Sequence, residues 1–107
     1  MRVYSREDLI NKNELNTVNI LRGVVRKSGV EYCKYKTYFG ILDNAQTGDS
    51  FYAAVGNVFG RGSVTKSDKD DVVAFLKYYF PECSVVIKDM NTSNPDSYIG
   101  MIRVSWD

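Results

Sequence analysis

EYCKYKTYFG, residues 31–40, packs three tyrosines, two lysines and a phenylalanine into ten positions. Side chains alternate across a strand, so at a period of two the segment Glu31–Ile41 divides into two sets. Cys33, Tyr35, Phe39 and Ile41 point one way and read as core. Tyr32, Lys34, Lys36 and Tyr38 point the other way and form a basic, aromatic face. On this reading the fold turns on a β-hairpin.

The preceding stretch VNILRGVVRK, residues 18–27, has the same texture. Between the two lies Ser28-Gly29, a two-residue connection in which Gly29 can take positive φ. That loop sets Lys27 opposite Val30, Arg26 opposite Glu31, Val24 opposite Cys33 and Leu21 opposite Lys36. The Arg26–Glu31 pairing supports the register. Leu21, Gly23, Val25 and Lys27 then join the Tyr32–Tyr38 face, and Gly23 leaves a spot where a ligand could approach closely.

Outward from the hairpin the chain reads as a small α+β domain spanning 1–107, in the order αβββαββ, with a mainly antiparallel sheet and helices on one face. Ser5, followed by Glu7 and Asp8, opens a first helix from about Arg6 to Leu15: a hydroxyl caps free N–H groups and acids face the positive dipole end. SFYAAVG, residues 50–56, is a strand. Ser67 caps a second helix, 68–80, in which Val72, Phe75, Leu76 and Tyr79 share an apolar face and which Pro81 stops. CSVVIKD (83–89) and YIGMIRVSW (98–106) are the last strands, and Tyr98, Ile102, Val104 and Trp106 share a face of the second.

Composition narrows the chemistry. The 107 residues hold fourteen basic and thirteen acidic side chains. The net charge of +1 therefore implies no partner of either sign. The charges are uneven, with ten basic and six acidic residues in 1–66 and four and seven thereafter, so one face of the fold can carry a field. There is no histidine. That removes Ser-His-Asp and Cys-His catalysis and histidine-ligated zinc. Cys33 and Cys83 make neither a metal spacing nor a CxxC pair. No catalytic residue, metal or cofactor is expected. The start MRVYSREDLI has no apolar run of signal-peptide length and no stretch spans a membrane, so a cytoplasmic protein with reduced thiols is the expectation.

Three further motifs each depart from their pattern. GNVFGRGSVTKS, residues 56–67, resembles a phosphate loop, but Thr65 stands where a Walker motif needs glycine before its Lys-Ser pair. Asp68, Asp70 and Asp71 then crowd the helix N-terminus that a phosphate would need. The three aspartates also lack the ligand spacing of a calcium loop. Arg61 from the loop, with Asp70 or Asp71, is instead a candidate polar contact. SVVIKD has Val86 where a nuclease strand would carry its acid.

The hairpin face supports three readings. Tyr32 and Tyr38 could stack on single-stranded RNA or DNA while Lys27, Lys34 and Lys36 offset phosphate charge. The simplest reading is a solvated strand face, where lysines also discourage edge-to-edge aggregation. The third is a protein interface, since tyrosine offers large contact area at little rotamer entropy. A short, histidine-free chain rich in Asn, Lys and Tyr is similar in style to small proteins of AT-rich phages and mobile elements. That style implies a non-catalytic inhibitor that blocks a host protein machine, such as a defence nuclease. The expectation is therefore a protein partner gripped through Tyr32, Lys34, Lys36, Tyr38, Lys27, Arg61, Asp70 and Asp71, with single-stranded nucleic acid as the alternative. A homodimer paired through YIGMIRVSW as an edge strand is also open.

Overall fold

The computed structural model describes residues 2–12, 15, 28–56, 63–90 and 98–107. Its elements run α1 (Arg6–Ile10), α2 (Gly29–Ala45), β1 (Ser50–Gly56), a 3-10 turn (Lys66–Asp68), α3 (Lys69–Tyr79), β2 (Ser84–Met90) and β3 (Ile99–Ser105). The α+β class and the antiparallel sheet are as expected. The element that decides the fold is not: residues 29–45 are a helix of 17 residues, about 25 Å long.

Tertiary packing explains the difference. Tyr38, Ile41, Leu42 and Ala45 fall at i, i+3, i+4 and i+7 and all are buried, which is a helical stripe. Cys33, Lys34, Thr37 and Phe39 are buried too, because α2 packs against β1 on one side and α3 on another. A helix covered on two flanks needs no clean polar face, and its pattern imitates alternation over short windows. Thr37, a β-former, is held in place by donating its hydroxyl to the Cys33 carbonyl at 2.6 Å. Gly29 does take positive φ, +62°, but it begins a helix rather than turning a hairpin. The hairpin's other expected strand, 18–27, lies outside the described residues.

The sheet has the order β1-β3-β2, antiparallel throughout. Val104 sits between Phe51 and Val85, and Ile102 between Ala53 and Ile87. Ile102 and Val104 are fully buried, with Trp106 beyond them. These are the inward residues read from the sequence. Because β3 is hydrogen-bonded on both sides, YIGMIRVSW is the centre of the sheet and offers no edge for a dimer; the outer strands, among the described residues, are β1 and β2.

Both long helices lie over the inward face, α2 against β1 and α3 against β2. Val72, Leu76 and Phe80 bring the α3 stripe into a core shared with Leu9, Phe39, Ile41 and Trp106. Each fully buried side chain of this kind stabilises the fold by about 1.5–3 kcal/mol. Helix α1 is shorter than expected. Its start is a capping box, in which the Ser5 hydroxyl accepts from the Asp8 N–H and the Asp8 carboxylate accepts from the Ser5 N–H. It closes at Asn11, and Lys12 then turns the chain with φ +57°. The N-terminal segment is tied to α3 by Tyr4 N–H donating to the Tyr79 carbonyl at 2.8 Å.

Candidate functional site

The helix separates the residues expected on one face. Tyr32 and Lys36, one turn apart, share a flank, with the Lys36 ammonium 5.5 Å from the Tyr32 ring centre. Lys34 and Tyr38 lie on another flank and are buried. Tyr38 is 2% exposed. Its hydroxyl donates to the Arg2 carbonyl at 2.6 Å, and its ring meets Phe39 edge-on and packs on Phe80. Burial and the neighbouring Tyr4 hold its phenol far above the usual range. Tyr38 is core, not contact surface.

Lys34 reaches Asp71 at 2.8 Å and Glu31 at 3.2 Å. Two residues expected to bind a partner thus bind each other. Asp70 is exposed in the first turn of α3. Lys27 and Arg61 lie outside the described residues. A four-residue basic and aromatic face on 31–41 does not exist.

The two thiols are poorly suited to chemistry. Burial raises Cys33 above the ordinary thiol value, and burial, aided by the Glu82 charge, pushes Cys83 up to about 11. Among the described residues no group of acids and cysteines is placed to hold a metal ion.

The exposed surface with the most distinctive chemistry is the outward face of the sheet, which carries the side chains that alternate with the core set. Arg103, on the central strand, lies between Tyr52 of β1 and Val86 of β2. One residue pair along, Met101 lies between Ala54 and Lys88. Ile99 lies between Gly56 and Met90. Tyr52 is 58%, Val86 55% and Met90 46% exposed. The Arg103 guanidinium sits over the Tyr52 ring, 5.5 Å from its centre, a cation–π contact that joins the two side chains across the strands.

Among the described strand residues the charge on this face has one sign. Its outward strand positions carry Arg103 and Lys88 and no carboxylate. Neither cation takes part in an ion pair among the described residues. Asp89, the nearest acid in sequence, points to the inward side, where Lys69 holds it at 2.8 Å and Tyr98 donates to it at 3.1 Å.

These residues were available to sequence reasoning. Once Ile102, Val104 and Trp106 are set inward, alternation sends Met101 and Arg103 outward. Their importance needed the strand order, which places Tyr52 and Val86 on either side of Arg103.

Comparison with protein-family models, with curated proteins and with solved structures finds no match to this chain. Among the described residues no helix is long and apolar enough to cross a membrane.

Proposed function

We propose that this chain is a non-catalytic binding protein that docks another protein on the outward face of its sheet. The observation that carries the reading is the composition of that face. A sheet side that is merely solvated is polar. This one exposes Tyr52, Val86 and Met90 around Arg103, and tyrosine, methionine and arginine are the types enriched where proteins meet.

Charge narrows the partner. Arg103 and Lys88, with no acid beside them on the strands, favour a surface that presents carboxylates. As an inhibitor the protein would act by occupancy, covering an acidic working surface of a host machine. A cationic nucleic-acid groove, such as that of a nuclease, would repel the same two charges. Single-stranded nucleic acid is the weaker ligand, because a stacking platform needs successive rings and, among the described residues, the outward strand positions hold one ring, Tyr52.

Affinity capture from the native host tests the reading. The wild-type chain should retain a stoichiometric partner that Tyr52→Ala with Arg103→Glu releases, while Lys36→Glu, on the other side of the sheet, does not. A partner kept undiminished by the double variant overturns the site. Binding to a labelled single-stranded oligonucleotide, with a log–log salt slope of about −1.4 for two phosphate contacts, overturns the choice of protein over nucleic acid.

A further inference from the structure

Between α2 and β1 lies a cleft of about 380 Å³, within the range of roughly 300–1,000 Å³ in which proteins bind small molecules. Its strand wall is the inward side of β1 with Ala54 at the edge, and neither Tyr52 nor Arg103 of the docking face lines it. We propose that this cleft binds a small organic acid with a flat, apolar body.

The walls specify the body. Phe39 on the helix and Phe51, Ala53 and Val55 on the strand line it. It stays open because the helix contributes Gly40 and the inward side of the strand contributes Ala53. At Gly40 a Cβ would sit 2.6 Å from Phe51 Cε2, so only glycine lets the Phe51 ring lean back against the helix. Ala53, the middle strand residue of the wall, offers a single methyl. Tyr32 at the rim adds a third ring, and aromatic surfaces favour an aromatic guest by offset or edge-on stacking.

The rim specifies the acid. Lys36 is exposed at the cleft and, among the described residues, has no carboxylate partner, whereas Lys34 has two and Lys66 and Lys69 share Asp89. Its ammonium is steadied over the Tyr32 ring at 5.5 Å. A cation beside apolar walls pairs with a guest's carboxylate while the guest's ring displaces water from the phenylalanines. Among the described residues the other charge lining the cleft, Asp43, lies two helical turns further on, about 10 Å along the axis, near the distance at which salt screens exposed charges.

The test is an amide NMR titration of the full chain with 2-naphthoate and its neutral isostere 2-naphthamide. Saturable shifts should appear at Tyr32, Lys36, Gly40 and Ala53, with naphthoate about three- to fivefold tighter, as one partly exposed ion pair allows. Lys36→Gln should bring the two ligands to equal affinity. Ala53→Phe, which fills the cleft, should abolish both. If Ala53→Phe does not fold, Gly40→Ala, which drives the Phe51 ring into the cleft, should weaken both. No saturable shift up to millimolar ligand, shifts centred elsewhere, or naphthamide binding as tightly as naphthoate overturns the proposal. None of these outcomes bears on the sheet face, whose partner is read by Tyr52 and Arg103.

Discussion

Lys34 Nζ lies 2.8 Å from Asp71 Oδ2, and through that contact α2 is joined to α3. The lysine side chain is almost covered, its exposure 11%, while Asp71 keeps 57% of its own. Hydrogen bonding to Asp71 holds the Lys34 ammonium above its ordinary value against the opposing effect of burial. A raised amine pKa stabilises the fold at all pH values below the unfolded value, and that stabilisation fades as pH rises through the folded one. With one partner in water the pair is worth about 0.5–1 kcal/mol. A double-mutant cycle of Lys34→Gln and Asp71→Asn in urea unfolding should return a coupling of that size, smaller at 0.5 M salt. A coupling of zero would mean that the two helices are held by apolar packing alone.

Where local chemistry decides structure, the sequence is legible. The Ser5–Asp8 cap, the Val72–Phe75–Leu76–Tyr79 stripe, the stop near Pro81 and the inward face of β3 all follow from hydrogen bonding or periodicity within a few residues. Residues 29–45 fail that test because two separate elements, the following strand β1 and the more distant helix α3, both cover the helix. Burial on two flanks removes the polar stripe that marks an amphipathic helix. The tell-tale spacing, Tyr38, Ile41, Leu42 and Ala45, lies half beyond the window that alternation had claimed. The proposed site moves for the same reason: with Lys34 and Tyr38 inside, the exposed candidates are the strand positions opposite the core.

Tyr38 provides a direct check on that relocation. Its phenol donates to the Arg2 carbonyl at 2.6 Å, and its ring is surrounded by Tyr4, Phe39, Tyr79 and Phe80. Tyr38→Phe keeps the ring and loses one hydrogen bond, which costs about 0.5–1.5 kcal/mol. Tyr38→Ala empties a core site, which costs about 3–5 kcal/mol. Urea midpoints should fall in that order, while Tyr38→Phe should hold a captured partner as well as wild type. Loss of partner binding at undiminished stability would return Tyr38 to the surface.

Gly56 ends β1 where the chain has room for nothing larger. A Cβ there would overlap the Tyr98 backbone carbonyl and lie 3.1 Å from Ile99 Cα, and backbone of a central strand cannot swing aside as a side-chain tip can. Gly56→Ala should destabilise by about 1–3 kcal/mol, the usual penalty for overpacking. Gly48→Ala is the control: its Cβ meets only the Asn44 carbonyl at 3.4 Å, an ordinary contact, and its effect should stay within about 0.5 kcal/mol. Equal thermal midpoints for the two variants would show that the β1–β3 register has slack at this end.

Asp89 and Tyr98 give the fold a pH dependence with opposite signs at its two ends. The Lys69 ammonium, followed by the Tyr98 hydroxyl and the Lys66 charge, holds the Asp89 carboxyl below the usual range against slight burial. A depressed carboxyl stabilises the fold above its unfolded value of about 3.9, and the gain disappears as pH falls through the lower folded value. Burial, then the hydrogen bond to Asp89, pushes Tyr98 up to about 12. For an acid that is neutral in the fold, the stabilisation is complete below the unfolded value of about 10 and is lost as pH climbs toward the folded one. Lys34 and Tyr38 weaken the fold over the same alkaline interval, so the contribution of Tyr98 must be taken as a difference. The stability gap between wild type and Tyr98→Phe should be constant from pH 6 to 9 and narrow between pH 10 and 12. The gap between wild type and Asp89→Asn should narrow only below pH 4. A Tyr98→Phe gap that stays level to pH 12 would show that neither the burial of Tyr98 nor its hydrogen bond to Asp89 persists in solution, and with them the clasp between β2 and the start of β3.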